Sequence, residues 1–202
     1  RFHYDLAWIK PKPFCRRRHA YEIGERIDAA GRVVLPLDEA EVRLLARRLA
    51  AEGEVDAVAV NLLFSFLRPD HELRVRAIFA EEAPGLPVSL ACELDPKWKE
   101  DQRATTVIAD AFIKPVVGRQ LGDLERRLRQ AGLAGRTGLI KSNGSETTVA
   151  AAAAAPIHLA VSGPTGGVVA ARQLARLKRL DDVVTLDIGG TSTDVSTIIG
   201  GT

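Results

Sequence analysis

Apolar and polar positions follow two periods along this chain, one typical of helices and the other of strands. The run VDAVAVNLLFSF is continuous, apolar and rich in valine, which favours a strand buried on both faces. A helical spacing of apolar residues begins after Asp38, a good N-cap, and ends at Gly53, a good C-cap. The whole pattern predicts, in order, a hairpin at 21–38, a helix at 39–53, a strand at 55–66, a helix at 69–85, a strand at 86–94, a helix at 100–132, a strand at 137–144, a helix at 150–155, a strand at 157–163, a helix at 164–180, and paired strands at 182–190 and 193–201.

This alternation predicts an α/β fold with a largely parallel or mixed sheet flanked by helices. Pro115 is expected to kink or split the long helix, because proline lacks an amide hydrogen. Glu100 and Arg103 lie three residues apart and are expected to pair on one face of that helix. His71 falls in the first turn of its helix, where capping or exposure to solvent is the simplest role.

Composition and charge narrow the classes of protein. The chain has 202 residues and 46% hydrophobic content, enough for a globular core. Its 28 basic and 26 acidic residues are spread along the sequence, so no strong field draws in nucleic acid or a membrane surface. No apolar run is long enough for a membrane span. Cys15 and Cys92 fit neither a metal-ligand spacing nor a disulfide framework, so we expect free thiols in a reducing cytoplasm.

The stretch TLDIGGTSTDVS carries the first candidate site, at the turn of a predicted hairpin. Its polar and glycine residues are Asp187, Gly189, Gly190, Thr191, Ser192, Thr193 and Asp194. The glycines would permit positive φ and close backbone approach, and the hydroxyls lie beside backbone amides, so the turn can hold a phosphate. Asp187 and Asp194 suit a Mg²⁺ ion that keeps most of its waters. An ordinary Asp/Gly hairpin turn explains the same residues.

The stretch VSGPTGGV is a second candidate site. Ser162 and Gly163 are expected to end a strand, and a helix is expected to start near Pro164. The first turn of such a helix favours an anion, and Gly166 and Gly167 would let a ligand or another backbone approach. The stretch matches neither the P-loop nor the dinucleotide pattern. Close packing of helix on sheet is the alternative.

The stretch KSNGSE is the third candidate. It places Ser142, Asn143 and Gly144 at the end of a predicted strand. In α/β folds, ligands bind at that edge of the sheet. A simple turn explains these residues equally well.

Six motifs, in this order, resemble the hydantoinase A/oxoprolinase family: ERIDAAGRVVLPLD, AVAVNLLFSFLRPDHE, WKEDQRATTVIADAFIKP, SNGS, VSGPTGGV and LDIGGTSTDVS. Residues 1–100 resemble the later part of the family's N-terminal domain, and residues 101–202 resemble the start of its main domain. Ser145 stands where family members often have glycine. The chain, which contains no methionine, is therefore expected to be an internal fragment of a longer protein.

The resemblance implies part of an actin-like, ribonuclease H-like ATPase fold, in which two Asp-Gly-Gly-Thr hairpins grip the phosphates of ATP. DIGGTSTDVS matches the second hairpin, so its seven residues named above would contact phosphate or Mg²⁺, with Asp187 and Asp194 as the metal ligands. The glycine-rich stretches around Ser142 and Ser162 are further expected nucleotide contacts. The first hairpin would precede Arg1, and the adenosine-binding segment would follow Thr202.

The resemblance also implies an activity, the ATP-dependent hydrolysis of a cyclic amide such as hydantoin or 5-oxoproline. The chain would be part of an A subunit that acts by phosphorylation of the amide carbonyl oxygen, in an oligomer with a B-type subunit. The alternatives are a subunit of an ATP-dependent carboxylase of the acetone or acetophenone type, and a sugar-kinase-like or ATP-binding regulatory protein. Alone, the fragment is expected to be inactive.

Overall fold

The computed structural model of the protein describes residue 7, residue 9 and residues 12–201. It divides into two compact units, Arg1–Phe112 and Ile113–Thr202. The outer ends of both predicted domains, including residues 1–6 and 202, lie outside the described residues. Within the described part, every helix is too short or too polar to cross a lipid bilayer.

The first unit begins with the predicted hairpin. After a 3₁₀ turn at Arg17–His19, strand β1 (Arg26–Ile27) pairs antiparallel with strand β2 (Val33–Leu35). Gly31, in the connecting loop, has a φ of 75°, which lies in the left-handed region that favours glycine. The hairpin predicted at 21–38 is therefore confirmed, with strands shorter than the pattern suggests.

Helix α1 (Glu39–Glu52) begins and ends as its sequence predicts. The Asp38 side chain accepts a hydrogen bond of 3.0 Å from the amide of Glu41, which satisfies one of the unpaired donors of the first turn. Gly53 ends the helix with a φ of 63°. Both caps act through local geometry, so local sequence was sufficient to find them.

A strand, a helix and a second strand complete the layer beside α1. Strand β3 (Val58–Val60) lies parallel to strand β4 (Val88–Leu90), and helix α2 (Asp70–Glu82) connects them. A one-turn helix, α3 (Ala91–Leu94), follows β4 directly. The hydrophobic core of the unit consists of Val42, Ala46, Leu49, Val60, Val75, Ile78, Phe79, Ala83 and Leu90.

The structure contradicts the predicted ion pair between Glu100 and Arg103. Arg103 is buried and donates hydrogen bonds to Ser65 Oγ at 2.7 Å and to the carbonyl of Leu62 at 3.1 Å. Glu100, by contrast, is exposed. The buried guanidinium is therefore hydrogen-bonded to uncharged acceptors instead of a carboxylate. Burying a charge is costly unless hydrogen bonds compensate for the lost water.

His71 is also placed differently from the expectation. It is mostly buried, and its Nδ1 lies 2.7 Å from Glu25 Oε2, in the segment before β1. The side chain therefore links α2 to the hairpin instead of capping its own helix or facing solvent. This contact joins residues 46 positions apart, which no local pattern reveals.

Helix α4 (Glu100–Gln130) is continuous through Pro115, so the prediction that proline splits it is wrong. Proline removes one amide donor from a helix interior, but the segments on either side are long enough to continue the hydrogen-bond pattern. In the first unit, Val107 and Ala111 are among its buried side chains.

The second unit buries fewer hydrophobic side chains than the first. Its elements after α4 are β5 (Gly138–Ile140), β6 (Glu146–Thr148), α5 (Val149–Ala154), a 3₁₀ turn at Pro156–Leu159, α6 (Ser162–Lys178), β7 (Val183–Ile188) and β8 (Thr193–Ile198). Strands β5 and β6 pair antiparallel, as do β7 and β8. Its buried hydrophobic residues are Val149, Ala152, Ala175 and Ile198.

The predicted strand at 157–163 is wrong, and so is the placement of Ser162 at a strand end. A 3₁₀ turn occupies Pro156–Leu159, and α6 already begins at Ser162. Two carbonyls of this segment bind Ser142 instead of a neighbouring strand. The Ser142 amide donates to the carbonyl of His158 at 2.7 Å, and its hydroxyl donates to the carbonyl of Ala160.

The α/β class is confirmed, whereas the expected single sheet is not seen. The strands of the described residues form four two-stranded sheets, of which only β3–β4 is parallel. The apolar runs at 55–66 and 86–94 contribute only three strand residues each, since a turn follows β3 and helix α3 follows β4.

Candidate functional site

The two carboxylates of the DIGGTSTD stretch face each other across the β7–β8 hairpin. In the strand register, Asp187 is opposite Asp194 and Ile188 is opposite Thr193. Directly opposed residues have their side chains on the same face, with Cβ atoms about 5 Å apart. Within the described residues, neither carboxylate takes part in a hydrogen bond or an ion pair. Two like charges held this close destabilise a hairpin unless a cation or a donor lies between them.

The turn of the hairpin differs from its predicted geometry. Neither Gly189 nor Gly190 has a positive φ, so the turn does not need glycine for its backbone conformation. The Gly189 amide donates to the Ser192 carbonyl at 2.9 Å and closes the turn. A Cβ added at Gly190 would meet no other atom within 4 Å. The space beside Gly190 is therefore open to a ligand rather than required by packing.

Three hydroxyls and the turn amides complete this end of the hairpin. Thr191, Ser192 and Thr193 are exposed, and no hydrogen bond within the described residues engages their hydroxyls. We call the face of the hairpin that carries Asp187 and Asp194 its inner face. The next opposed pair on this face is Thr185 and Ser196, whose hydroxyls form a hydrogen bond with each other. The inner face thus carries a hydroxyl pair next to a carboxylate pair.

The second candidate stretch lies at the start of α6, against the inner face of the hairpin. Ser162 is the first helical residue, preceded by Val161 with a φ of 62°. A Cβ placed at Gly167 would lie 3.8 Å from Asp187 Oδ2, so this helix position directly adjoins the carboxylate. A Cβ added at Gly163 would meet no other atom within 4 Å. The helix is therefore positioned with its first turns beside Asp187.

The third stretch, Ser142–Gly144, is a tight turn between β5 and β6. The Gly144 amide donates to the Lys141 carbonyl at 2.9 Å, and Gly144 has a φ of 81°. Asn143 Oδ1 accepts hydrogen bonds from the amide and the hydroxyl of Ser145, at 3.1 and 2.7 Å. The hydroxyl of Ser142 and the side-chain oxygen Oδ1 of Asn143 are thus engaged within the protein.

The structure brings all three predicted stretches together around α6. Thr165 Oγ1 donates to the Ser142 carbonyl at 3.1 Å, and a Cβ at Gly166 would lie 3.5 Å from Ile140 Cδ1. Gly167, one residue further, adjoins Asp187. Thr165 was not among the predicted site residues. Its place between Pro164 and Gly166 of the glycine-rich motif was the only sequence signal that could have drawn attention to it.

The residues at the hairpin turn fit a hydrated divalent cation and a phosphate. Mg²⁺ prefers oxygen ligands, keeps several waters and is commonly held by one or two carboxylates together with substrate phosphates. Asp187 and Asp194 supply two such groups. Among residues 7, 9 and 12–201, no cluster of three or more His, Cys, Asp or Glu side chains could hold a metal ion through protein ligands alone. The donor set therefore fits a metal–phosphate pair better than a dedicated metal cage.

The cysteine with a shifted pKa does not belong to this site. Cys92, next to β4 in the first unit, is half-buried, and burial together with the nearby Glu72 carboxylate raises the pKa of its thiol to about 12. The thiol is therefore protonated at neutral pH and is a poor nucleophile. Cys15 and Cys92 are both free thiols, as expected.

The chain is an α/β protein in which a carboxylate-bearing Gly-Gly hairpin lies next to a glycine-rich helix. Its family follows from sequence. The Hydantoinase/oxoprolinase family model matches residues 103–202, and that of the Hydantoinase/oxoprolinase N-terminal region matches residues 1–83. The chain belongs to the hydantoinase/oxoprolinase family.

Curated relatives match nearly the whole chain but are much longer. An uncharacterised protein of Methanocaldococcus jannaschii is 32% identical over 97% of this chain and 29% of its own length. The acetophenone carboxylase gamma subunit of Aromatoleum aromaticum is 33% identical over 94% of this chain and 26% of its own length. The 5-oxoprolinase of Saccharomyces cerevisiae is 32% identical over 82% of this chain and 12% of its own length. The chain therefore spans less than a third of these relatives.

Two solved structures share the fold of this chain. The ATP-dependent caprolactamase from Pseudomonas jessenii superimposes with a TM-score of 0.81 and 29% identity, over 96% of this chain and 28% of that protein. The nucleotide-free acetone carboxylase superimposes with a TM-score of 0.75 and 30% identity, over 89% of this chain and 25% of that protein. Both resemblances extend across most of the described residues.

Proposed function

We propose that the β7–β8 hairpin binds the phosphates of ATP together with Mg²⁺. The observation that carries this proposal is the opposed pair Asp187 and Asp194, which no group of the described chain neutralises. Asp187 and Asp194 would hold the cation through its waters, and the amides and hydroxyls of Thr191–Thr193 would donate to phosphate oxygens. The open space at Gly190 would admit a phosphate close to the backbone.

The wider ATP site in this proposal is of the actin-like type. A hairpin lying against a helix, with carboxylates on the face toward that helix, is consistent with one half of a two-hairpin phosphate clamp. The chain spans about a quarter of the solved relatives, which leaves room in the full protein for the opposing hairpin and for an adenosine-binding segment. On this basis we expect the isolated fragment not to hydrolyse ATP.

The reaction we propose is ATP-dependent hydrolysis of a cyclic amide such as hydantoin or 5-oxoproline. An amide carbonyl is a poor electrophile, and transfer of the γ-phosphoryl group of ATP to its oxygen, with release of ADP, converts that oxygen into a good leaving group. Water then attacks the carbonyl carbon, the ring C–N bond breaks as the nitrogen takes up a proton, and an acyl phosphate is left. A second water hydrolyses the acyl phosphate to the carboxylate and inorganic phosphate. The names of two relatives, 5-oxoprolinase and caprolactamase, support amide hydrolysis.

In this proposal the full protein is the A subunit of an oligomer and works with a B-type subunit. Support comes from the names of the relatives, which include a caprolactamase subunit alpha and an acetophenone carboxylase gamma subunit. The residues of the described chain provide phosphate contacts but no evident base for activating water. A second subunit or a further part of the polypeptide would supply that base and the pocket for the amide.

A second candidate function is ATP-dependent carboxylation of a ketone. The observation that favours it is that carboxylase subunits match this chain as well as the amide hydrolases do, with 33% identity over 94% of the chain for the acetophenone enzyme and 29% over 98% for the caprolactamase. The proposed hairpin would have the same role in both reactions, since each begins by activating an oxygen with phosphate. The two candidates therefore differ in substrate and not in the role of the β7–β8 hairpin.

The test is a single isosteric substitution, Asp187→Asn, in the full-length protein with its partner subunit. We expect ATP turnover stimulated by 5-oxoproline, hydantoin, or acetone or acetophenone with bicarbonate to fall about 100-fold or more, because the carboxylate no longer balances the cation. The substrate that stimulates the wild-type enzyme identifies the reaction. The melting temperature without nucleotide should not fall, since the substitution removes a like-charge contact.

The matched control is Asp181→Asn, which changes an exposed carboxylate just before β7 whose side chain makes no hydrogen bond within the described residues. It should retain wild-type turnover. Undiminished turnover in Asp187→Asn would overturn the phosphate-site proposal. ATP turnover stimulated by a hexose, and by none of the amides or ketones, would instead favour a sugar-kinase-like protein.

A further inference from the structure

Thr165 connects two of the three site segments through one hydroxyl. Its Oγ1 lies 3.1 Å from the carbonyl oxygen of Ser142, in the β5–β6 turn, and 3.1 Å from that of Val161, one turn earlier. The bond to Val161 is the usual contact of a threonine with its own helix. The bond to Ser142 crosses to another element and has no such local explanation.

The β5–β6 turn that accepts this bond is itself firmly held. Ser142 donates from its amide to the His158 carbonyl at 2.7 Å and from its hydroxyl to the Ala160 carbonyl. A Cβ at Gly144 would lie 3.1 Å from Val169 Cγ2, so the turn packs closely on the side of α6. The turn is therefore a fixed point against which the first turns of α6 are held.

The helix carries this fixed position to the hairpin. Gly167, two residues after Thr165, is the position that adjoins Asp187 Oδ2. A helix transmits displacement along its axis because its backbone hydrogen bonds make it stiff. The position of Thr165 therefore determines how closely α6 approaches the Asp187 carboxylate.

We infer that Thr165 is a positioning residue, whose hydroxyl locks α6 to the β5–β6 turn and so fixes the hairpin that carries Asp187 and Asp194. The inference rests on the proposed function as far as nucleotide binding is concerned, and it adds a specific residue to that site. Thr165 acts through the helix and the hairpin, and it does not itself contact the proposed ligand.

The experiment compares three substitutions in the full-length protein. Thr165→Val removes the hydroxyl and keeps the shape, whereas Thr165→Ser keeps the hydroxyl. The matched control is Thr105→Val on α4, because Thr105 Oγ1 donates only to its own helix, to the carbonyl of Asp101 at 2.8 Å. Hydrogen exchange is measured without nucleotide on peptides covering 141–146 and 187–194. The Kd for Mg·ATP, and KM and kcat for ATP, are measured separately.

We expect Thr165→Val to speed exchange in both peptides about fivefold, the effect of losing one hydrogen bond. It should raise the Kd and KM for ATP about fivefold and leave kcat within about twofold. The reason is that a less ordered site loses more conformational entropy when it binds ATP. Thr165→Ser and Thr105→Val should match the wild type in both measurements. Recovery by serine separates the hydroxyl from a general packing effect.

The two measurements also separate this inference from the proposed function. Wild-type exchange in Thr165→Val, or equal disturbance in Thr165→Ser, would overturn the positioning role even if the protein binds ATP. Faster exchange of the hairpin with an unchanged Kd for ATP would overturn the link to binding. If the wild type binds no Mg·ATP while exchange responds as expected, the proposed function fails and the structural role of Thr165 is supported.

Discussion

The two units of this chain differ in where their apolar side chains lie. The first unit surrounds a core of nine buried hydrophobic residues from helices and strands, and its helices α1 and α2 are joined by ion pairs between Arg43, Arg47 and Glu82. In the second unit, the outer face of the β7–β8 hairpin exposes Leu186 and Ile188, at 65% and 74% of their surface. Its polar inner face carries the candidate site.

This difference indicates that stability and proposed function depend on different residues. In the first unit the buried Arg103 donates to Ser65 and Leu62, and among the described residues only its Nε and Asn61 Oδ1 are buried side-chain atoms without a hydrogen-bond partner. The second unit leaves Asp187 and Asp194 without a partner, which costs stability in the absence of a cation. Proteins commonly keep such unfavourable contacts only where activity requires them. Substitutions in the two units should therefore have separable effects.

The largest effect we expect comes from the core of the first unit. Phe79 on α2 is 2% exposed, and Phe79→Ala should lower the free energy of unfolding by about 3–5 kcal/mol, from lost burial plus the cavity that remains. Urea unfolding followed by circular dichroism measures this change. The matched control, Phe112→Ala on α4, removes a ring that is 68% exposed and should cost less than about 1 kcal/mol. Similar losses in both variants would contradict the assignment of the core.

A smaller effect tests whether the second unit has a core of its own. Ile198 on β8 is buried, whereas Ile188 on β7 is exposed. Ile198→Val should cost about 1 kcal/mol, and Ile188→Val, the same chemical change on the same hairpin, should cost close to nothing. The difference in urea midpoint between the two variants is the measurement. A larger cost at Ile188 would show that its face is covered in the full-length protein, and the contrast between the units would then be weaker.

Local sequence predicted the elements whose ends are set by local groups. Asp38 and Gly53 cap α1 as expected, and the hairpin Val183–Ile198 pairs in a register that alternates its two faces. The pattern failed at 157–163, where Ile157, Leu159 and Val161 alternate like a strand. There, the hydrogen bonds of Ser142 to the carbonyls of His158 and Ala160 hold a 3₁₀ turn instead. Such long-range bonds have no signature in hydrophobic periodicity.

The candidate site was predictable in its residues but not in its arrangement. The glycines and carboxylates of DIGGTSTD indicated a phosphate site, and the register then placed Asp187 opposite Asp194. The positive φ that Gly189 and Gly190 would permit is not used, because the Gly189 amide closes the turn on Ser192 without it. The contact of Thr165 with Ser142 depends on how α6 packs on the β5–β6 turn, which spacing along the chain does not specify.

The smallest effect concerns the ion pairs that join α1 and α2. Hydrogen bonds from Arg47 and Arg43 lower the pKa of Glu82 from 4.5 to about 2. A carboxyl with a lowered pKa in the folded state stabilises the protein above the unfolded value, and this contribution is lost as the pH falls from 4.5 towards 2. The melting temperatures of the wild type and Glu82→Gln should therefore differ at neutral pH and converge over that range.

The control for this measurement is Glu54→Gln, since Glu54 is exposed and makes no ion pair within the described residues. Its melting curve should follow the wild type at every pH. Added salt should also reduce the difference at neutral pH, because exposed ion pairs are screened. If the melting temperature of Glu82→Gln were lower than that of the wild type by the same amount at every pH down to 2, Glu82 would contribute to stability through packing. In that case the ion pairs between α1 and α2 would add nothing to the stability of the first unit.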